Sequence, residues 1–504
     1  MTVTARKRSR ARKPAVLYPQ NGYALKHCLV LLLLATVQAA WCDGSFGVTE
    51  AGQPMAMVAG KSGRVVVIGG LDGSDDSVAA ARRVAGARGA TALLHKFPDP
   101  GRLAFPPTGD AYAGPGGEAH YLWRYLLQRA PDFVYVVGKS AAATRLVEAL
   151  QGKIPAEAVA PADLDRAMRR SAHPASPWRV EIEKRLARTP ERVARELEAH
   201  YGHALEDAVY IPAMALVGRL RLGALEDVER IAAPYASGEK PSLTGQVSAS
   251  HQSGHLLFGE LFKLTKKPAY LKLVLAAAGM GFEADGSMKA AMPLHNEMSD
   301  SFFMGCPILA QAGRLTGEAK YYDMALRHFR FMQKLDLRPD GIYRHSPLDE
   351  AAWGRGNGFP ALGMALTLTE LPADHAARPE FLAAFQAHLR ALLRHQDDLG
   401  AWRQVIDRPE SYPEYTATAM IGVALTRGLR NGWIKGAAFE VARDRAWQAI
   451  NRRTASDGVL LDVCASTGKQ KTLRDYYDRP AIFARDPRGG AMGLLLATEL
   501  MVRQ

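Results

Sequence analysis

Leu264-Thr265-Lys266-Lys267-Pro268-Ala269-Tyr270 and Leu315-Thr316-Gly317-Glu318-Ala319-Lys320-Tyr321 are two versions of one phrase, offset by 51 residues. Each leads from an apolar, small-residue helix pattern through a polar turn into a charged, amphipathic one. The phrase closes on a glycine loop that recurs as Asp285-Gly286, Asp340-Gly341, Leu399-Gly400 and Asp457-Gly458, with glycines 55, 59 and 58 residues apart. A period of that size marks stacked helix pairs, none of which buries its apolar face alone. It also brings the same end of every pair to one common mouth.

The pattern extends over about 187–504. Helices rich in Gly, Ala and Met are expected near 207–221, 252–264, 301–313, 357–369, 416–428 and 490–501. Charged, amphipathic helices are expected near 189–201, 225–236, 268–282, 318–334, 377–396 and 436–453. Small residues let the first set approach closely, and charges turn the second set to water. Six of each predict an (α/α)6 toroid, or barrel, whose inner helices run parallel and whose preceding loops line one cavity. The fold class is therefore mainly α, with a small α/β domain in front.

That front domain is read over 62–185. Val65-Val66-Val67-Ile68 is a buried-strand run ending in Gly69-Gly70, a helix pattern follows over 77–87, and 92–97 reads as a second strand. A helix pattern covers 118–129, 133–137 reads as a strand, and the proline-punctuated stretch 141–185 reads as a connecting region.

Residues 1–40 carry Arg6, Lys7, Arg8, Arg10, Arg12, Lys13 and Lys26 and no acid, ahead of the apolar run Cys28-Leu29-Val30-Leu31-Leu32-Leu33-Leu34. A basic segment, a short apolar core and small residues at Ala39-Ala40 predict a secretory signal and a periplasmic or secreted protein. The run is too short for a stable membrane span. Of the net charge of +13, those seven cations leave 13 − 7 = +6 on the remainder, which does not call for nucleic acid and suits an acidic substrate. Cys42, Cys306 and Cys464 are too few and too scattered for a disulfide framework or a zinc site.

The loops before the inner helices concentrate polar chemistry. His295, Glu297 and Asp300 precede the third, His345, Trp353 and Arg355 the fourth, and Arg403 and Glu414 the fifth. Asp300, Glu297 and Glu414 also suit helix N-termini, as a cap or as charges facing the dipole. Convergence of carboxylate, imidazole, guanidinium and indole on one rim suits an acidic sugar, because aromatic faces stack on sugar rings and arginine forks grip carboxylates.

The stretches SDSFFMGCP, WGRGNGF and QVIDRPESY, with VCASTGKQ and DPRGG near the C-terminus, resemble the unsaturated rhamnogalacturonyl hydrolases, glycoside hydrolase family 105, and the related family 88. The resemblance implies an (α/α)6 barrel that removes a terminal 4,5-unsaturated uronate from an oligosaccharide, with no cofactor. It places the catalytic acid on Asp300 and substrate contacts on His345, Trp353 and Arg355, with His251, His295, Arg403 and Glu414 as further binding candidates. The family's second aspartate, before the second inner helix, is missing from Ser248-Ala249-Ser250-His251-Gln252-Ser253-Gly254-His255. Either His251 takes its place or the substrate differs. A non-catalytic binder of acidic glycans and a lyase-type uronate enzyme are the alternatives.

A 4,5-unsaturated uronate is an enol ether, so one carboxylic acid can protonate C4 and its conjugate base can then activate water onto C5. The carboxylate pair of direct glycosidic displacement is not needed. Burial among Phe302, Trp353 and Met298 would favour the protonated form of Asp300 that this step requires. In front, Gly69-Gly70-Leu71-Asp72-Gly73-Ser74-Asp75 faintly resembles zinc carboxypeptidase-like domains. Asp72 and Asp75 stand there as weak metal candidates, because the histidine of the His-Gly-x-Glu motif is absent.

Overall fold

A computed structural model describes residues 43–61, 63–169 and 173–502, and Asp43–Gln504 forms one compact unit. The secretory signal expected over 1–40 lies outside the described residues.

The inner helices are Tyr210–Arg221, a second interrupted at His255 into Ala249–Gly254 and Leu256–Thr265, then Ser301–Thr316, Gly354–Glu370, Tyr415–Arg430 and Pro487–Met501. Each packs on the next, and the sixth returns to the first, which closes the ring. The outer helices are Pro190–Glu198, Leu225–Ser237, Pro268–Gly279, Ala319–Asp336, Arg378–Leu393 and Ala437–Arg453. All twelve coincide with the expected helices, so the toroid is (α/α)6. Close approach explains the small residues. A Cβ on Gly363 would lie 2.7 Å from the Phe302 carbonyl oxygen, so only glycine lets the third and fourth inner helices meet at that height.

Charge closes the ring at the end away from the mouth. Buried Glu499 of the sixth helix accepts from Arg427 at 2.9 and 2.5 Å, also from Arg430 of the same fifth helix, and lies 3.0 Å from Arg221 of the first. Burial opposes its charge, but the three guanidinium groups hold the carboxyl well below its ordinary range.

The front region is a six-stranded sheet in the order β1-β2-β4-β3-β5-β6, made of Asp43–Val48, Pro54–Val58, Val65–Gly69, Thr91–Leu94, Phe133–Val137 and Ala156–Val159 for β1 to β6. β4, β3, β5 and β6 are parallel, and β1 and β2 add an antiparallel edge. Helix Asp75–Arg88 covers one face through Ala80, Ala81 and Val84. Helices Gly117–Arg129 and Ala141–Leu150 cover the other, and their core is continuous with that of the toroid.

Two boundaries differ from expectation. The sheet begins at Asp43, upstream of 62, because β1 is rich in Gly and Ser and β2 alternates inward Met55 and Met57 with exposed Pro54 and Ala56, neither being a β-branched run. The stretch 141–185 is no mere connector. It supplies a helix and edge strand β6, whose Ala156, Glu157 and Ala158 are not fully buried and carry no strand signature. No helix among the described residues is long and apolar enough to cross a membrane.

Candidate active site

Asp300 stands at the entry to the third inner helix with helical backbone angles, and its side chain makes no capping hydrogen bond. The capping alternative therefore does not describe it. Just upstream, Leu294, Asn296 and Glu297 all have left-handed backbone (φ 68°, 48° and 56°), a concentration of strain in non-glycine residues of the kind found where a site is held in place. Oδ1 of Asp300 is buried and accepts no hydrogen bond from the described residues. It lies 3.4 Å from Nε2 of His345, which is wholly buried.

His345 is fixed from three sides, two at the ring and one at the main chain. Its Nδ1 lies 2.9 Å from the Tyr476 hydroxyl, its ring sits 4.4 Å from that of Trp353, and its carbonyl accepts from the Ser299 N–H at 2.9 Å. Gly356 makes this possible, since a Cβ there would be 2.9 Å from Ser299 Oγ and 3.1 Å from the Trp353 ring. The Trp353 indole is buried, and its N–H finds no acceptor among the described residues.

Arg355 is buried too, with its guanidinium 4.7 Å from the Trp353 ring. It donates to the carbonyls of Cys464 and Ala465 at 2.8 and 2.9 Å and to Thr416 Oγ1 at 3.2 Å. Those contacts use three of its five N–H donors and tie the fourth inner helix to the loop before the sixth.

Glu414 and Arg403 are also held by protein groups. Glu414 is fully buried and accepts from the N–H groups of Thr416, Ala417 and Cys464 at 3.1, 2.5 and 3.0 Å, so it caps the fifth inner helix and has no face left for substrate. Arg403 donates to the Ser411 carbonyl at 2.9 Å and lies 3.1 Å from Asp397, in a cleft shared with Tyr121, Tyr125 and Arg129 of the front region. It braces the two-stranded turn of Trp402–Arg403 and Pro413–Glu414.

His295 is half-buried; Nδ1 accepts the Glu297 N–H at 2.9 Å, the ring lies edge-on to Phe331 at 5.0 Å, and burial lowers its pKa. His251 begins the second inner helix. Its Nδ1 accepts the Ser248 N–H at 3.1 Å, so in this geometry the ring proton is on Nε2, which lies 3.0 Å from Asp207 Oδ1. Next to it, Gln252 donates to the Pro293 carbonyl at 3.0 Å, which joins this helix to the Asp300 loop.

The metal candidates separate. Asp72 accepts from Ser74 N, Ser74 Oγ and Ser77 Oγ at 3.0, 2.9 and 2.6 Å, whereas exposed Asp75 pairs with Lys96 at 2.8 Å. Among the described residues no group of three ligating side chains could hold a metal ion.

Sequence reasoning missed four residues of this region. Tyr476 reaches His345 from 131 residues away, Lys469 pairs with Glu297 at 3.1 Å, and Asp207 comes from the loop before the first inner helix. The fourth is Asp336, wholly buried, with both carboxylate oxygens lacking a hydrogen-bond partner among the described residues. Burial, with a contribution from the charges of Asp300 and Glu297, pushes its carboxyl up to about 8, against the pull of Arg344. Only Asp207 carried a usable signal, as the second of two adjacent acids, Glu206-Asp207, just ahead of an inner-helix pattern.

A model of Glycosyl Hydrolase Family 88 matches residues 224–504. The chain belongs to that family. Among similar proteins, the "Unsaturated rhamnogalacturonyl hydrolase YesR" of Bacillus subtilis (strain 168) is 27% identical over 190 residues, 36% of this chain and 53% of that one. An "Unsaturated 3S-rhamnoglycuronyl hydrolase" of Alteromonas sp. (strain LOR) is 25% identical over 172 residues, 32% of this chain and 42% of that one. The family 88 chain thus spans about half the length of these curated relatives. A solved structure from Klebsiella pneumoniae subsp. pneumoniae MGH 78578, titled a possible member of GH105 family, superposes with TM-score 0.52 at 23% identity. It covers 64% of this chain and 93% of its own, and at that identity the likeness is one of fold.

Proposed function

We propose that this chain is a glycosidase that removes a terminal 4,5-unsaturated uronic acid from oligosaccharides by hydrating the C4=C5 bond. The observation that carries the reading is the state of Asp300. It is a carboxyl at the mouth that caps nothing, with one oxygen buried, unpartnered and 3.4 Å from an immobilised histidine. Such a group is arranged to exchange a proton with something bound beside it.

In the proposed reaction Asp300 delivers its proton to C4, and positive charge develops at C5 and the ring oxygen. The Asp300 carboxylate then takes a proton from water as the water oxygen bonds to C5. The resulting hemiketal opens, and the hemiacetal left at C1 releases the neighbouring sugar. His345 serves the same proton. The Tyr476 hydroxyl accepts the Gln470 N–H at 3.3 Å and keeps one proton to donate; when that proton goes to His345 Nδ1, the ring proton is on Nε2, facing Asp300. That N–H stabilises the carboxylate formed after transfer. The buried Trp353 supports the histidine ring.

Asp207 supplies the second carboxylate at this rim. It is 61% exposed, hence open to sugar hydroxyls, and His251 beside it occupies the stretch where the family's second aspartate was expected. The names of the two relatives, both hydrolases of unsaturated uronyl compounds, support the substrate class. On this reading the enzyme works in the periplasm or outside the cell, which the basic run and apolar core within residues 1–40 support.

The test is to mix the protein with unsaturated disaccharides made by pectin and glycosaminoglycan lyases and to follow the ultraviolet absorbance of the conjugated uronate. Loss of absorbance with release of the second sugar is expected. Binding without any loss would favour a non-catalytic glycan binder.

A further inference from the structure

The front region has no catalytic assignment, yet it grips the segment that forms one wall of the mouth. That segment, 462–483, precedes the sixth inner helix. At its start Asp462 is wholly buried and left-handed (φ 58°), a conformation unfavourable for a non-glycine residue unless its neighbours impose it. Tyr112 and Gln128 of the front region donate to its two carboxylate oxygens at 2.5 and 2.6 Å. Arg453 of the sixth outer helix donates at 2.9 Å, and the Asp462 carbonyl accepts the Tyr415 N–H at 2.8 Å. Tyr112 also stacks on Tyr412 at 4.8 Å and 10°. Farther along, Phe483 packs against the near-parallel ring of His120 (5.4 Å) and the guanidinium of Arg124 (3.7 Å), and Arg474 donates to the Thr49 carbonyl at 3.0 Å. The segment is thus held at its start, middle and end by residues of the front region.

Its other side is the mouth. Cys464 and Ala465 receive Arg355, Lys469 pairs with Glu297, and Tyr476 holds His345 opposite Asp300. Only two residues separate Asp462 from Ala465.

We infer that the α/β domain is a positioning element of the active site, in which Tyr112 and Gln128 act through Asp462 to set the 462–483 wall and so the Tyr476–His345 contact. The inference rests on the proposed reaction for its effect on turnover, and on geometry alone for its effect on order. Asp462 is a charged acceptor, so each donor to it is worth more than a neutral hydrogen bond, while the imposed φ leaves the segment poised to relax when a donor is lost.

The experiment compares the full chain with its Tyr112→Phe, Tyr476→Phe and doubly substituted forms. Phe at 112 keeps the stack on Tyr412 and removes only the bond to Asp462. Tyr112→Phe is expected to lower kcat about tenfold with little change in KM. Because both residues act through the same histidine, the double variant should be no slower than Tyr476→Phe alone. Hydrogen exchange should accelerate in 462–483 and not in the loop 292–299. Unchanged kcat in Tyr112→Phe, multiplying losses in the double variant, or exchange that rises throughout the chain would each overturn the inference. If the wild-type chain turns over no unsaturated disaccharide, the proposed function fails, and the exchange measurement still decides this point.

Discussion

Nε2 of His345 lies 3.4 Å from Oδ1 of Asp300, and the two groups come from the loops before adjacent inner helices. The toroid produces this meeting. Parallel inner helices bring equivalent loops to one end, so residues 45 apart in sequence (345 − 300) become neighbours. The Ser299 N–H bonds the His345 carbonyl at 2.9 Å, so the two loops share main-chain contact as well as chemistry.

Arg355→Lys separates anchoring from substrate grip. Lysine keeps the charge but cannot reach Cys464 O, Ala465 O and Thr416 Oγ1 with one planar group. Each buried acceptor left unpaired costs about 1–3 kcal/mol, so thermal denaturation should show a clear fall in Tm. KM should change to the same degree for substrates with a free and an esterified carboxylate. A selective loss for the free acid, with Tm retained, would return Arg355 to the substrate.

Asp207→Asn should weaken binding more than it slows chemistry. An amide of the same size offers one acceptor oxygen without charge, so hydroxyl contacts weaken. We expect KM to rise roughly tenfold, the scale of one charge-assisted hydrogen bond, with kcat within about threefold of wild type. Steady-state kinetics in the absorbance assay measure both. An unchanged KM would place Asp207 outside the binding surface.

Much of this arrangement was legible because it is periodic. The repeat located all twelve helices, and the motif around Asp300 and the Trp353–Arg355 pair pointed to one rim, where Asp300, His345 and Trp353 lie together. Single loop residues were harder to read. Glu414 and Asp300 both precede inner helices, yet Glu414 turns into three N–H groups and Asp300 into none, a difference set by backbone angles that no residue spacing encodes. Arg403 belongs to a contact with the front region, and Tyr476 reaches His345 only because the last loop folds back across the mouth. β1 and β2 were hidden by glycine, serine and methionine in place of β-branched residues.

Asp336 should make stability depend on pH. Its folded carboxyl titrates at about 8, above the ordinary 3.8, so the folded state binds more protons between those values. Its contribution to stability is therefore greatest below about pH 4 and is lost as pH rises through about 8. Asp336→Asn removes the ionisation and should raise Tm at pH 8 by roughly 2 °C or more relative to wild type, with a smaller difference at pH 5. Equal Tm differences at the two pH values would show that Asp336 does not titrate in this window.

Asp300→Asn is the most direct test of the central claim. Asparagine preserves size, and because the aspartate makes no cap bond, Tm should stay within about 1 °C of wild type. General acid–base assistance contributes about 100- to 10,000-fold, so loss of uronate absorbance should slow at least that much while substrate still binds. Near wild-type turnover by the folded Asn variant would contradict the mechanism.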